Sequence, residues 1–140
     1  MKNIAVSMLI FILVAVVIIL VNIAGTALIE ITIPSGLSED RVPLTGPAQS
    51  LLLIVGFVAG AAGAILVVFL APMRATLQAL VYLVIILLLD IAAAAAWWNL
   101  VPAWFAIAMV VLAPLQVWAG TIIGMRLRGG RLSTSSQSFG

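Results

Sequence analysis

Four long apolar stretches constrain this chain more than any other feature of its sequence. Each can cross the ~30 Å hydrocarbon core of a bilayer, which takes about 20 apolar residues in a helix. In hydrocarbon every backbone N–H and C=O must be satisfied within the protein, and an α-helix does this segment by segment. The sequence therefore predicts an all-α fold, a polytopic integral membrane protein built as a four-transmembrane-helix bundle. The expected helices cover residues 4–27, 51–70, 77–98 and 103–125.

Composition supports the same class. Of 140 residues, 66% are hydrophobic and 7% are charged, against roughly 25% charged in a soluble domain. So few charges cannot coat a water-facing surface. The length suits one bundle, so residues 1–131 are expected to form a single domain, followed by a flexible polar tail over 132–140. The sequence contains no cysteine and no histidine. Disulfides, thiolate chemistry, His-based metal sites and a Ser-His-Asp triad are thereby excluded. No cofactor, metal or catalytic residue is expected.

The first stretch follows Lys2 and ends in small residues, as a secretory signal does. Its apolar run exceeds the ~7–15 residues of a signal core, so a retained helix is expected. Basic residues near helix ends set orientation. Lys2, Arg74, Arg126, Arg128 and Arg131 all fall on one side of an even number of spans, and Arg41 alone falls on the other. Both termini are therefore expected in the cytoplasm, with Arg74, Arg126, Arg128 and Arg131 as the cytoplasmic anchor. Lys2 and the five arginines against four acids give the net charge of +2, which does not indicate nucleic acid. The three after the last helix fall short of the about 4–8 basic residues that read as a lipid-specific cluster. Membrane lipid is an expected partner in any case, and a bacterial inner (cytoplasmic) membrane is the expected location.

The outer side should carry one loop over residues 28–50 and a tight turn at 99–102. The alternation Ile29-Glu30-Ile31-Thr32-Ile33 predicts a short extended piece. Pro34, Gly36, Pro43, Gly46 and Pro47 punctuate the rest as loop. Glu30, Glu39 and Asp40 lack the spacing of a calcium loop and read as solvated. Pro114, inside the fourth helix, predicts a kink and a freed carbonyl near Val110.

Lipid tails are as apolar as leucine, so membrane helices associate through close packing and polar contacts. The expected packing residues are Gly56, Gly60 and Gly63 on helix two and Gln116, Gly120 and Gly124 on helix four. On helix one, Ala15, Asn22 and Thr26 share a face. The spacing fits internal packing or an oligomer seam.

Asp90 is the one formal charge inside these segments. A carboxylate at bilayer depth costs a few kcal/mol and is paired, neutralised or in contact with water. At 1.5 Å per residue it lies roughly 20 Å from the cytoplasmic end of its helix and roughly 12 Å from the outer end. Four readings follow: a structural acid bonded to Asn22, Thr26 or a backbone carbonyl; a docking contact with a basic group of another subunit; a proton or cation site; or a catalytic acid. Gln116 should lie about 9 Å nearer the cytoplasm, which argues against a direct bond to Asp90. Trp97, Trp98 and Trp104 read as an interfacial aromatic belt or a stacking site for a quinone, pigment or lipid ring. Tyr82 and Trp118 lie deeper and read as packing residues whose polar atoms want partners.

The function expected on these grounds is a small non-catalytic integral membrane subunit that packs in or scaffolds a larger membrane complex, not an enzyme. Its partners would be other membrane protein subunits or further copies of itself. The alternative is a homo-oligomeric small transporter or channel that uses Asp90 as a proton- or cation-linked site. A lipid-acting enzyme has no specific support.

Overall fold

The computed structural model describes residues 2–72 and 74–137, with side chains over 4–72 and 74–129. It is all-helical: α1 (Lys2–Thr32), α2 (Gly46–Leu70), α3 (Ala75–Trp97) and α4 (Ala103–Gln137). All four are long and apolar enough to cross a membrane.

Several element ends differ from the sequence expectation. The stretch 29–33 is the last turn of α1 rather than an extended piece. A growing helix gains one hydrogen bond per residue added, and Thr32 turns its hydroxyl onto the Leu28 carbonyl at 2.7 Å. Pro34 then stops the helix, because the residue before a proline avoids the α region. Helix α2 begins at Gly46, with Thr45 as its N-cap and Pro47 in its first turn. There the missing proline N–H costs nothing, so the Gly46-Pro47 pair starts a helix. It ends just before Ala71 and Pro72 by the same pre-proline restriction. Helix α4 passes through Pro114 and continues to Gln137. Helix α4 thus includes 132–137 of the segment expected as a polar tail; residues 138–140 lie outside the described residues.

Helix α2 is the centre of the bundle. It packs against α1, α3 and α4, and α3 also packs against α4. The sequence explains the choice. Residues Ala59, Gly60, Gly63 and Ala64 leave α2 so thin that its neighbours approach its backbone, and all four are buried. The tightest seam joins α2 to α4, which run parallel. A Cβ added at Gly120 would collide with the Ala61 carbonyl oxygen, and one at Gly124 would press on Val68 Cβ and the Ile65 carbonyl oxygen, each at 3.0 Å. On the α1 side, Gly25 accommodates Val55. The contact face of α1 is Ile10, Val14, Gly25 and Ile29, whereas Ala15 faces outward.

Two apolar clusters fill the interior. One sits toward the basic end and joins Ile10, Val14, Val67, Tyr82, Ile86 and Val117 from all four helices. The other sits at the loop end and joins Ala94, Val101, Phe105 and Ala106 to Val42 from the long loop. That loop is folded. Leu37 and Pro43 form an antiparallel bridge, Ser38 N–H donates to the Val42 carbonyl at 2.9 Å, and Leu44 N–H donates to the Gly36 carbonyl at 2.8 Å. Arg41 turns the tip in the left-handed region at φ 60°, and Glu39 and Asp40 stay exposed. Buried Gln49 donates to the Pro43 carbonyl at 3.2 Å, tying the loop to α2.

The basic end is finished differently. Arg128 Nη1 donates to the Val68 carbonyl at 3.4 Å. A cation there satisfies a carbonyl that α2 leaves open and complements its negative dipole end. Arg74 and Arg126 are exposed at the same end; the side chains of Lys2 and Arg131 lie outside the described residues.

The seam gives a graded prediction. Gly120→Ala places a methyl on backbone and should lower stability by about 1–3 kcal/mol, as overpacking does. Gly124→Ala should cost less. Gly56→Ala, which meets nothing within 4 Å, should be neutral or slightly stabilising through helix propensity. Thermal unfolding in mild detergent checks the order.

Candidate functional site: an acid beside an interhelical cavity

The polar residues that α3 turns inward fall along one face, with Ile86 among them. Gln78, Tyr82, Ile86 and Asp90 recur every four residues, so their side chains form one row. Each group meets a different environment as the row climbs from the basic end toward the loop end.

At the bottom, Gln78 Nε2 donates to Ser7 Oγ of α1 at 2.7 Å. Among the described residues it is the one side chain–side chain hydrogen bond between helices. Gln78 Oε1 is buried with no partner. One turn higher, buried Tyr82 donates its hydroxyl to the Gly60 carbonyl at 3.0 Å. Gly63 makes room for that ring, since a Cβ there would strike the Tyr82 hydroxyl. The polar handle expected to need a partner has found a backbone one.

Two turns above Tyr82 lies Asp90. It is partly buried and makes no hydrogen bond or ion pair among the described residues. The sequence offered Asn22 and Thr26 as partners. Both instead bond back along their own helix: Asn22 Nδ2 donates to the Ile18 carbonyl at 2.9 Å, and Thr26 Oγ1 donates to the Asn22 carbonyl at 2.8 Å. The reason is local. A short polar side chain on a helix reaches the carbonyl four residues earlier without crossing to a neighbour.

Asp90 lines a cavity of about 190 Å³ between the four helices. Asn22 and Gln116 line it too, so the space brings together three polar side chains from α1, α3 and α4. The remaining wall is apolar and aromatic, including Ile86, Phe57, Trp97 and Phe105. Gly56 belongs to this wall. It was expected to pack a helix, yet a Cβ there would meet nothing within 4 Å; its missing side chain leaves room in the cavity. Gly60 does pack, against the Gln116 carboxamide, and with Gly63, Gly120 and Gly124 it works within the chain. The backbones of α1 and α3 do not pack on one another. The Ser7–Gln78 bond draws the two helices together near the basic end, and the cavity lies beyond it.

The tryptophans divide. Trp97 is partly buried and stacks on Phe105 with centroids 6.4 Å apart, so it belongs to the cavity wall rather than to a surface belt. Trp98 and Trp104 are exposed, and Trp104 meets Phe105 edge-on at 5.9 Å. Trp118 corrects the packing expectation: it is 66% exposed. Its position on α4 is opposite the α2 seam, because Gly120 and Gly124 take the inward stripe. A second groove, between α3 and α4 beside Trp98, is lined by apolar residues such as Ile91, Ala106 and Val110.

Sequence reasoning missed Gln78 and Ser7. The signal was present, since both are polar residues in the first turns of parallel helices, each on the side that turns inward.

The Ser7–Gln78 pair yields a test. Ser7→Ala alone should cost about 1–3 kcal/mol, because it strands a buried amide N–H. Adding Gln78→Leu should recover most of that loss, since replacing both partners by apolar groups is nearly neutral. Unfolding midpoints of the single and double variants measure the difference.

No protein-family model, curated protein or solved structure matches this chain.

Proposed function

We propose that this chain is a small non-catalytic integral membrane subunit that packs in or scaffolds a larger membrane complex. In this reading the helices span a bacterial inner membrane with both termini in the cytoplasm. The observation that carries it is Asp90, an acid well inside an apolar helix that makes no hydrogen bond or ion pair among the described residues. An intramembrane acid is costly and demands a counter-group or water. When the chain itself supplies neither an ion pair nor a hydrogen bond, the counter-group comes from another molecule. The distribution of basic residues supports the orientation, with Arg74, Arg126 and Arg128 at one end of the bundle.

A homo-oligomeric transporter or channel is the second reading. The cavity beside Asp90 favours it, because a transported cation needs a site to occupy. The two readings predict different assemblies.

Native mass spectrometry from mild detergent separates them. As a subunit, the chain emerges bound to other proteins, and Asp90→Leu strips them away. As a transporter, it emerges as copies of itself, and Asp90→Asn keeps that assembly while ion-coupled flux is lost. A monomer with no companions at any detergent concentration would refute both.

A further inference from the structure

Gln116 is the most deeply buried polar side chain at the cavity. It is 5% exposed, and its carboxamide makes no hydrogen bond among the described residues. The absent side chain of Gly60 lets it lie there, since a Cβ at Gly60 would fall on the carboxamide. The Gly60 carbonyl accepts from the Tyr82 hydroxyl instead. A carboxamide carries two N–H donors and one carbonyl acceptor, and buried polar groups are rarely left unpaired. Gln116 lines the cavity, so its partner has to stand in that space.

We propose that the cavity holds a cluster of ordered water molecules that hydrogen-bond Gln116 and Asp90. Cavities that stay dry are lined by apolar groups, whereas a roomy polar cavity takes water. Here Asn22, Asp90 and Gln116 all reach the lining. One water fills ~30 Å³ of the liquid, so a space of about 190 Å³ takes several. Gly56 keeps that space open. The mixed chemistry of the lining also favours water. Gln116 needs acceptors for its N–H groups and a donor for its oxygen, while the Asp90 oxygens make no bond among the described residues. Water both donates and accepts, so one cluster serves both residues. A metal cation could meet the oxygens but would face the Gln116 N–H groups with the wrong polarity. A lipid chain would pair with none of them.

The inference does not depend on the subunit reading, because Gln116 needs a partner whichever molecule meets Asp90. Within that reading, the same water keeps Asp90 solvated before its docking partner arrives.

Radiolytic footprinting of the native chain in lipid nanodiscs tests it. X-ray pulses convert water into hydroxyl radicals that react close to where they form, and methionine is readily oxidised to its sulfoxide. Met109 lines the cavity. Trp118 is 66% exposed but lies on the outer face of α4, where lipid surrounds it. Each oxidation rate is read by mass spectrometry relative to the same residue in the denatured chain. The expected result is that Met109 keeps much of its rate while Trp118 loses nearly all of its own. Gly56→Leu, which fills the space, should bring Met109 down to the Trp118 level. Circular dichroism checks that variant's fold, and the comparison within the native chain decides the matter without it. Protection of Met109 equal to that of Trp118 would overturn the proposal. So would an organic molecule that stays with the native chain in native mass spectra and is lost in Gly56→Leu. Either failure, with co-purification of other subunits intact, would remove the water and leave the subunit reading standing.

Discussion

The rest of the structure depends on the close approach of α2 and α4. Helices in hydrocarbon gain nothing from hiding apolar surface from one another, so attraction has to come from contact at short range. Gly120 supplies it by letting α4 lie on the Ala61 carbonyl of α2. Gly124 repeats the contact one turn on, and Gln116 lies against Gly60 one turn before. Because α2 is thinned by small residues around most of its girth, the same helix also receives α1 and α3. The centre of the bundle is thus the helix with the least side-chain bulk. The bulky aliphatic residues of α1 and α3 are largely turned outward, as expected when the surrounding medium is itself apolar.

Polar groups in this interior are resolved mostly against backbone. Tyr82, Asn22 and Thr26 each bond a carbonyl oxygen, and Arg128 does so at the basic end. A helix carbonyl has a second lone pair to share, so such bonds need no partner side chain. Three groups escape the pattern; one is the buried Gln116 carboxamide, which lies against Gly60 and lines the cavity with no hydrogen bond among the described residues. Gln78 Oε1 is shut away beside the Ser7 contact, and Asp90 faces the cavity. The Gln78 oxygen is a local debt of fitting a long amide between two helices. Asp90 stands beside a space with room for something else.

Much of this was legible in the sequence. The apolar stretches gave the helix number and order, because backbone satisfaction in oil leaves few options. The glycine stripes marked contact faces on helices two and four without saying what each would meet, and the tertiary arrangement sets Gly120 and Gly124 against α2. Helix ends were less legible. Thr45-Gly46-Pro47 carries both loop and helix-start signals, and which one wins depends on Thr45 capping the Ala48 N–H. The site was half legible: Asp90 stands out by charge alone, but its partners could not be read. Helix periodicity gives a face and a depth without saying whether a short side chain will reach across or fold back. Asn22 and Thr26 fold back. Gly56 shares the spacing of Gly60, and only the tertiary arrangement distinguishes a glycine that admits a neighbour from one that leaves a void.

The attachment of α1 has a separate consequence. Its backbone packs on α2, with Gly25 against Val55, while near the basic end Ile10 and Val14 join Tyr82 and Ile86 of α3 in the core and Ser7 bonds Gln78. The α2–α4 seam and the α3–α4 contact do not involve it. Beyond the basic end no α3 backbone packs on α1, so the α1 wall of the cavity, with Ile18 and Asn22, is held from the α2 side. The two ends of α1 thus do different work: its basic end is built into the common core, and its middle forms one side of the cavity.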